Sequence, residues 1–368
     1  MHVKMNDYVA IENKQTYITE NPLAEVQLPI DCGEGINILQ IPTRWMETIT
    51  DLDLERVRTY PHTPELKEKI AAYWQGCADV SRDCVFITEG SMDGIRIACR
   101  LFVERGDRVL GNMPTFNAAE SEIKLSGAAY DGVQLAPENN YAFDCDVFLQ
   151  RLDSRHKMVF VDNPNNPTGQ VIPLAEIRRI ASAAAHLGIG VVVDEAYGDY
   201  MVKENSAINL LDDFDNVVVL RTFSKGFGLA GMRIGYCLAS DGELARALSK
   251  VTDAYSVCVF SRLMALAALG DLDFLQQVNE KAKELKDRLR AEPWRNLTVS
   301  ATGEQVPIML LSHRDSEMDL AATLAERGIK AISGLEFSGL SKNSVRFRIP
   351  QEKDLAEVMG ALREVDGE

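Results

Sequence analysis

The chain has no surplus of cations: 39 Lys and Arg stand against 55 Asp and Glu, a formal net charge of −16. Nucleic acid and anionic membrane surfaces are therefore poor partners, because little is available to neutralise rows of phosphates. No apolar run reaches the ~18 residues of a membrane-spanning helix. The opening MHVKMNDYVAIENKQTY is too polar to expect a signal peptide. There is no CxxC pair. Seven cysteines, an odd number, are scattered along the chain and read as reduced core residues of a cytoplasmic protein, with no zinc site and no disulfide frame. Internal repeats and low-complexity segments are absent too. What is there is a globular balance, 46% hydrophobic and 26% charged, in 368 residues, enough for one large domain and a smaller one.

In the middle of the chain short apolar runs alternate with helical spacings. VFIT (85–88) predicts a strand, and in the following EGSMDGIRIACRLFVERGD the residues Ile95, Ala98, Leu101 and Phe102 fall at helical intervals. RVLG (108–111) predicts a second strand, and AAESEIKLSG a helix stopped by Gly127. KMVFVD (157–162) runs into a loop rich in Pro and Asn. PLAEIRRIASAAAHLG then has proline in its first turn and glycine after its end, as a helix does. IGVVVDEAY and NVVVLRTFSK are continuous apolar strands that end in polar residues. Such strands between helices predict an α/β fold with a largely parallel sheet covered on both faces. Ligands then bind beyond the carboxyl ends of the strands. After about residue 240 the pattern changes. DLDFLQQVNEKAKELKDRLR (271–290) predicts a long charged helix, VPIMLL and SVRFRI short strands, MDLAATLAERG and EKDLAEVMGALREV helices. The expected division is an N-terminal arm over 1–40, a large domain over 41–240 and a smaller α+β domain over 241–368. No Gly/Ser linker separates the last two, so the long helix is expected to be the joint.

Four stretches carry polar residues to strand ends. In EGSMDG (89–94), Gly90 allows a close backbone approach and the amides of Ser91 and Met92 open a helix, an anion site in waiting or a plain strand-to-helix turn. In DNPNNPTG (162–169) two Asn-Pro steps make an ordered turn from which Asn166 presents an amide. In VVVDEAYGDY (191–200) Asp194 leaves a buried strand, where a carboxylate needs a partner: a protonated ring nitrogen or an arginine. Tyr197 follows within reach of the same ligand. In TFSKGFGLAGMRIGY (222–236), Lys225 stands among small residues with Thr222, Ser224 and Arg233 near it. A surface lysine usually comes with other charges. A lysine in a desolvated pocket is instead a nucleophile for carbonyls, and hydroxyls with a guanidinium suit a phosphate.

An aldehyde, a phosphate and a protonatable ring nitrogen on one ligand account for all four stretches, and that ligand is pyridoxal 5'-phosphate. NNPTG, DEAY and SKxxxLAGxRxGY, in this order, make the chain resemble the fold-type I, aspartate-aminotransferase-like aminotransferases, and within them the histidinol-phosphate aminotransferase-like branch. The resemblance runs from about Pro29 to the C-terminus. It implies that Lys225 holds the cofactor as a Schiff base and then acts as general base, while Asp194 keeps the ring nitrogen protonated. Tyr197 and Asn166 are implied to bond the ring oxygen, and Gly90, Ser91, Met92, Thr222, Ser224 and Arg233 to hold the phosphate. Phe116 of PTF matches the aromatic that stacks on the ring, more often a tyrosine in the family. Tyr60 of TYPHTP matches a tyrosine that reaches the neighbouring subunit's phosphate, which implies a homodimer with shared sites. Arg346 of SVRFRIP matches the arginine that grips the substrate carboxylate, or the phosphate of histidinol phosphate. Arg348 lies on the same strand face and is the alternative.

Two departures bear on substrate. GIKAISG (328–334) has Ile332 or Ser333 where histidinol-phosphate enzymes usually carry an arginine. DCGEGINILQIP (31–42) replaces the NENP-like segment of the family. Its GIN is similar to part of the NINPLG of threonine-phosphate decarboxylases, which makes Asn37 a substrate contact. The expected activity is transamination between an α-amino acid, or a histidinol-phosphate-like amine, and a 2-oxo acid. Decarboxylation of the threonine-phosphate decarboxylase type would use the same cofactor residues and is the alternative. A non-catalytic regulator that binds pyridoxal phosphate ranks last, since no helix-turn-helix-sized extension is expected and the charge is acidic.

Overall fold

The computed structural model of the chain describes residues 6–11, 28–42, 45, 54–62 and 64–368. Much of the expected 1–40 arm, residues 1–5 and 12–27, lies outside the described residues. A short strand β1 (Ile30–Asp31) comes first. Next come β2 (Val85–Thr88), β3 (Arg108–Met113), β4 (Ala129–Gln134), β5 (His156–Asp162), β6 (Gly190–Asp194), β7 (Val217–Thr222) and β8 (Gly235–Ala239). These last seven form one sheet in the order β2-β8-β7-β6-β5-β3-β4. It is parallel from β7 to β4, while β8 runs antiparallel to both β2 and β7. The exception has a local cause. β8 follows β7 after only the residues 223–234, too few for a crossover helix, and so it returns alongside. That connection carries Lys225 and Arg233.

Each central strand alternates between two core layers. Val159, Val161, Val191, Val193, Val217 and Val219 face one, and Met158, Phe160, Val192, Val218 and Leu220 face the other. Burial on both faces is why these strands read as unbroken apolar runs. Along β5, β6 and β7 the side chains of Asp162, Asp194 and Thr222 continue the second row, so all three leave the sheet from one face at its carboxyl edge. The chain moves outward from β3 to β4 and then returns to lay β5, β6 and β7 on the other side of β3. That reversal opens the crevice in which open α/β sheets hold ligands.

A second core lies towards the C-terminus. β9 (Leu297–Val299), β10 (Ile308–His313), β12 (Ile332–Ser333) and β13 (Ser344–Arg348) form an antiparallel sheet in the order β12-β13-β10-β9. The Leu320–Glu326 and Leu355–Asp366 helices pack against it. β1 pairs in parallel with β11 (Ile329–Lys330), so the stretch around residue 30 belongs to this smaller body. The Leu272–Arg290 helix spans the two: Phe274, Leu275 and Val278 enter the large core, and Ala282, Leu285 and Leu289 the small one. The expected boundary at 240 is too early. Helices Glu243–Val251 and Val259–Ala268 bury Leu248, Met264 and Ala265 in the large-sheet cores, so the large body extends to the spanning helix. No helix among the described residues is long and apolar enough to cross a membrane.

Candidate active site

Beyond the carboxyl ends of β5, β6 and β7 lies a cavity of about 930 Å³. Ser91, Met92, Phe116, Asn166, Asp194, Tyr197, Thr222, Ser224, Lys225 and Arg233 all line it, brought together from five separate stretches of chain.

One end of the cavity is built for an anion. Gly90 precedes the Ser91–Phe102 helix with φ 88° and provides no side-chain cap, so the first-turn amides of the helix are left for a ligand. A Cβ on Gly90 would lie 3.0 Å from Arg233 Nη2, so a side chain there would crowd the guanidinium. Thr222 Oγ1 and Ser224 Oγ are 2.8 Å apart. Arg233 takes the left-handed conformation at φ 47° and donates to the carbonyls of Ala230 at 2.9 Å and Glu89 at 3.3 Å, which aims it at the hydroxyls.

A carboxylate lines the cavity too. Asp194 is 2% exposed and accepts from the amide of Ala196 at 3.0 Å. Burial and the neighbouring Asp162 push its carboxyl up to about 7, against the pull of the Ala196 amide and Lys225. Such a group gains from a cation placed against it. On the same cavity wall, Lys225 Nζ lies 5.1 Å from the centre of the Tyr197 ring and donates to the carbonyl of Gly35 at 2.7 Å. The Tyr197 hydroxyl donates to the same carbonyl at 3.3 Å. A Cβ on Gly35 would fall 2.1 Å from that hydroxyl, so the approach needs glycine. An amine, an anion cradle that a side chain on Gly90 would crowd and a buried carboxylate with a raised proton affinity fit the amine link, phosphate and ring nitrogen of pyridoxal phosphate. Among the described residues no group of His, Cys, Asp and Glu is arranged to hold a metal ion.

Other expected residues sit elsewhere. Arg346 is 1% exposed and lies beneath the 33–35 segment, donating to Asn166 Oδ1 at 3.4 Å and to the carbonyl of Gly33. Arg348 donates to the carbonyls of Glu34 at 2.5 Å, Ile349 at 3.1 Å and Asp31. Of the two arginines, Arg346 therefore reaches the cavity residues and Arg348 braces the covering segment. Asn37 is spent on bracing as well: its amide donates to Gly226 O at 2.9 Å and its oxygen accepts from Leu39 N at 2.9 Å. Tyr60 is 72% exposed and stacks on Tyr255 with ring centres 5.1 Å apart, away from the cavity of its own chain. Of Ile332 and Ser333, it is Ile332 that lines the cavity, while the Ser333 hydroxyl accepts from Leu335 N at 3.3 Å. Gly35, Ile36 and Asp162 also line the cavity and were not anticipated. Asp162 opens the DNPNNPTG motif, so its proximity was a signal; Gly35 gave none, because only the fold brings it to Tyr197.

The family profile of aminotransferase class I and II matches residues 29–362. The chain belongs to that family. This aminotransferase is 28% identical over 364 residues to a histidinol-phosphate aminotransferase of Methanosphaera stadtmanae, with 97% of this chain and 96% of that protein covered. It is 33% identical over 313 residues to one of Halorubrum lacusprofundi, with 84% and 82% covered. In fold it is similar to an aspartate aminotransferase single mutant of Thermus thermophilus, at a TM-score of 0.83 and 19% identity over 99% of this chain and 100% of that one. The histidinol-phosphate aminotransferase of Clostridium acetobutylicum gives a TM-score of 0.79 at 20% identity over 92% and 99%. The expected fold-type I architecture and aminotransferase class hold. The decarboxylase alternative is not favoured, and the non-catalytic reading gives way to an enzyme.

Proposed function

We propose that this aminotransferase binds pyridoxal 5'-phosphate on Lys225 and moves an amino group between an α-amino acid with an apolar side chain and a 2-oxo acid. The observation that carries the reading is that one cavity is lined by Ser91 and Met92 of an uncapped helix N-terminus, by the buried Asp194 and by Lys225. When bound, the cofactor supplies a carbonyl that takes up the amino group and a ring that takes up electrons. The chain supplies the rest. Ser91, Met92, Thr222, Ser224 and Arg233 hold the phosphate, Gly90 giving it room. Phe116 would cover the ring, and Tyr197 and Asn166 would bond its oxygen. Asp194 retains a proton on the ring nitrogen, since a cation there offsets the cost of its buried charge. Lys225 would hold the cofactor, and its free amine would take the proton from the substrate α-carbon as general base. Arg346 takes the α-carboxylate as a planar fork once the Gly33 carbonyl gives way.

The substrate side chain is inferred from Ile36 and Ile332, which line the cavity on the side of the smaller body. The cations at the mouth already have carboxylates beside them: Lys330 Nζ lies 3.8 Å from Asp31 Oδ2 and Arg96 Nε 3.3 Å from Glu122 Oε2. A phosphate-bearing side chain would have to compete with those carboxylates. The exposed Tyr60 supports a homodimer in which that residue completes the partner's site, and seven free cysteines support the cytoplasm. Two experiments test the reading. Borohydride reduction of the yellow protein is expected to fix the cofactor on the peptide containing Lys225, and attachment at any other residue refutes the assignment. A screen of amino acids against a 2-oxo acid is expected to yield a new amino acid without carbon dioxide, with apolar donors ahead of histidinol phosphate.

A further inference from the structure

Asp162 has no part in the roles given above, yet it lines the cavity and is only 3% exposed. It stands opposite Asp194 in the parallel register of β5 and β6. Its Oδ1 accepts from Asn112 Nδ2 at 3.4 Å, Thr115 Oγ1 at 3.0 Å and Asn165 Nδ2 at 2.9 Å. Its Oδ2 accepts from the backbone amides of Phe116 at 3.2 Å and Asn166 at 2.8 Å. Four of these five partners are N–H groups that can only donate, and the Thr115 hydroxyl donates as well, an arrangement that favours a carboxylate. Burial pushes its carboxyl up, and the hydrogen bonds from Asn166, Asn165 and Thr115 pull it back. The other ionisable groups near it are Asp194 across the ladder, with Lys225 and Glu195 beyond, and Tyr130 from β4. Burial pushes the Tyr130 phenol well above its ordinary range, which keeps it neutral.

We propose that Asp162 is a positioning residue of this aminotransferase: its carboxylate ties the corner bearing Phe116 and the turn bearing Asn166 to the end of β5, and sets a second negative charge beside Asp194. Two amides on one oxygen fix the group that covers the ring and the group that bonds its oxygen relative to each other. A cation held at Asp194 then feels two carboxylates and keeps its proton to higher pH. The proposal rests on the pyridoxal phosphate reading.

The test uses the full chain loaded with pyridoxal phosphate and two readouts, the pH titration of the visible absorbance band and the cofactor Kd. In Asp162→Asn the apparent pKa of the band is expected to fall by about one unit, and the Kd to rise. A purely structural role would weaken loading and leave the pKa in place. Should that variant fail to fold, Thr115→Val removes one donor from the same carboxylate at nearly constant shape and leaves its charge less compensated; its band is expected to shift the opposite way by less, with a weaker Kd. A wild-type protein that takes up no cofactor overturns the cofactor reading and this proposal with it. A loaded wild type whose Asp162→Asn variant titrates at the same pH overturns this proposal alone. So does a Thr115→Val variant, standing in for it, with both readouts unchanged.

Discussion

Asp194 should weaken the cofactor-free protein. Burial and the charge of Asp162 carry its carboxyl from 3.8 to about 7, while the Ala196 amide and Lys225 offset part of the rise. At about 1.4 kcal/mol for each pK unit, a difference of about 3 amounts to ~4 kcal/mol at the limit. The sign follows from proton counting. Between about pH 4 and about pH 7 the folded protein holds a proton that the unfolded chain has released, so stability falls as pH rises through that window, and above it the whole cost is present. Asp194→Asn keeps the acceptor for the Ala196 amide and cannot ionise. Urea unfolding of both cofactor-free proteins from about pH 4.5 to about pH 8 is the assay. The two are expected to agree closely at the acid end, with the variant becoming the more stable by up to ~4 kcal/mol at the alkaline end. Adding pyridoxal phosphate should reverse the order, because a ring cation compensates the wild-type carboxylate and finds no charge in the variant; turnover of the variant should collapse. Parallel pH curves, or a variant less stable than wild type at about pH 8, refute the reasoning.

Arg346→Ala should lower kcat/KM for an amino-acid donor by ~2–3 kcal/mol, on the order of a charge-assisted pair, and Arg346→Lys should recover little because an ammonium cannot make the fork. Arg348→Ala should act mainly on stability, since it takes the guanidinium from the carbonyl of Asp31 and leaves that of Glu34 with the Ile36 amide alone; a variant with an unchanged melting temperature and a lost kcat/KM would exchange the two roles. Mixing Tyr60→Phe chains with Lys225→Ala chains should produce hybrid dimers with one site lacking both groups and one retaining both, so partial activity returns on mixing. A protein that sediments as a monomer at assay concentration refutes the shared site.

Local pattern determined the elements that lie in the core. VFIT, KMVFVD, VVVD and VVVL are strands because they are buried on both faces, and burial on both faces writes an unbroken apolar run. The same strand ends announced Asp194 and Thr222, and the connecting turns announced Ser91, Asn166, Lys225 and Arg233, because backbone that approaches an anion or leaves a buried strand needs a narrow set of residues. Two strands were not legible: AYDGVQ of β4, at the edge of the sheet, is half-exposed and broken by glycine, and GYCLA of β8, inside the sheet between β2 and β7, gave no separate signal beside the motif that precedes it. Tertiary structure alone decided the contacts between distant stretches. Gly35 reaches Lys225 across 190 residues and Arg346 reaches Asn166 across 180. No sequence period encodes such contacts, since they follow from β1 pairing with β11 and from how the smaller body packs on the larger. The same holds for Asp162 and Asp194. Each is written plainly at the end of its own strand, but that the two charges face one another is set by the register of β5 against β6, a property of the sheet and of neither strand.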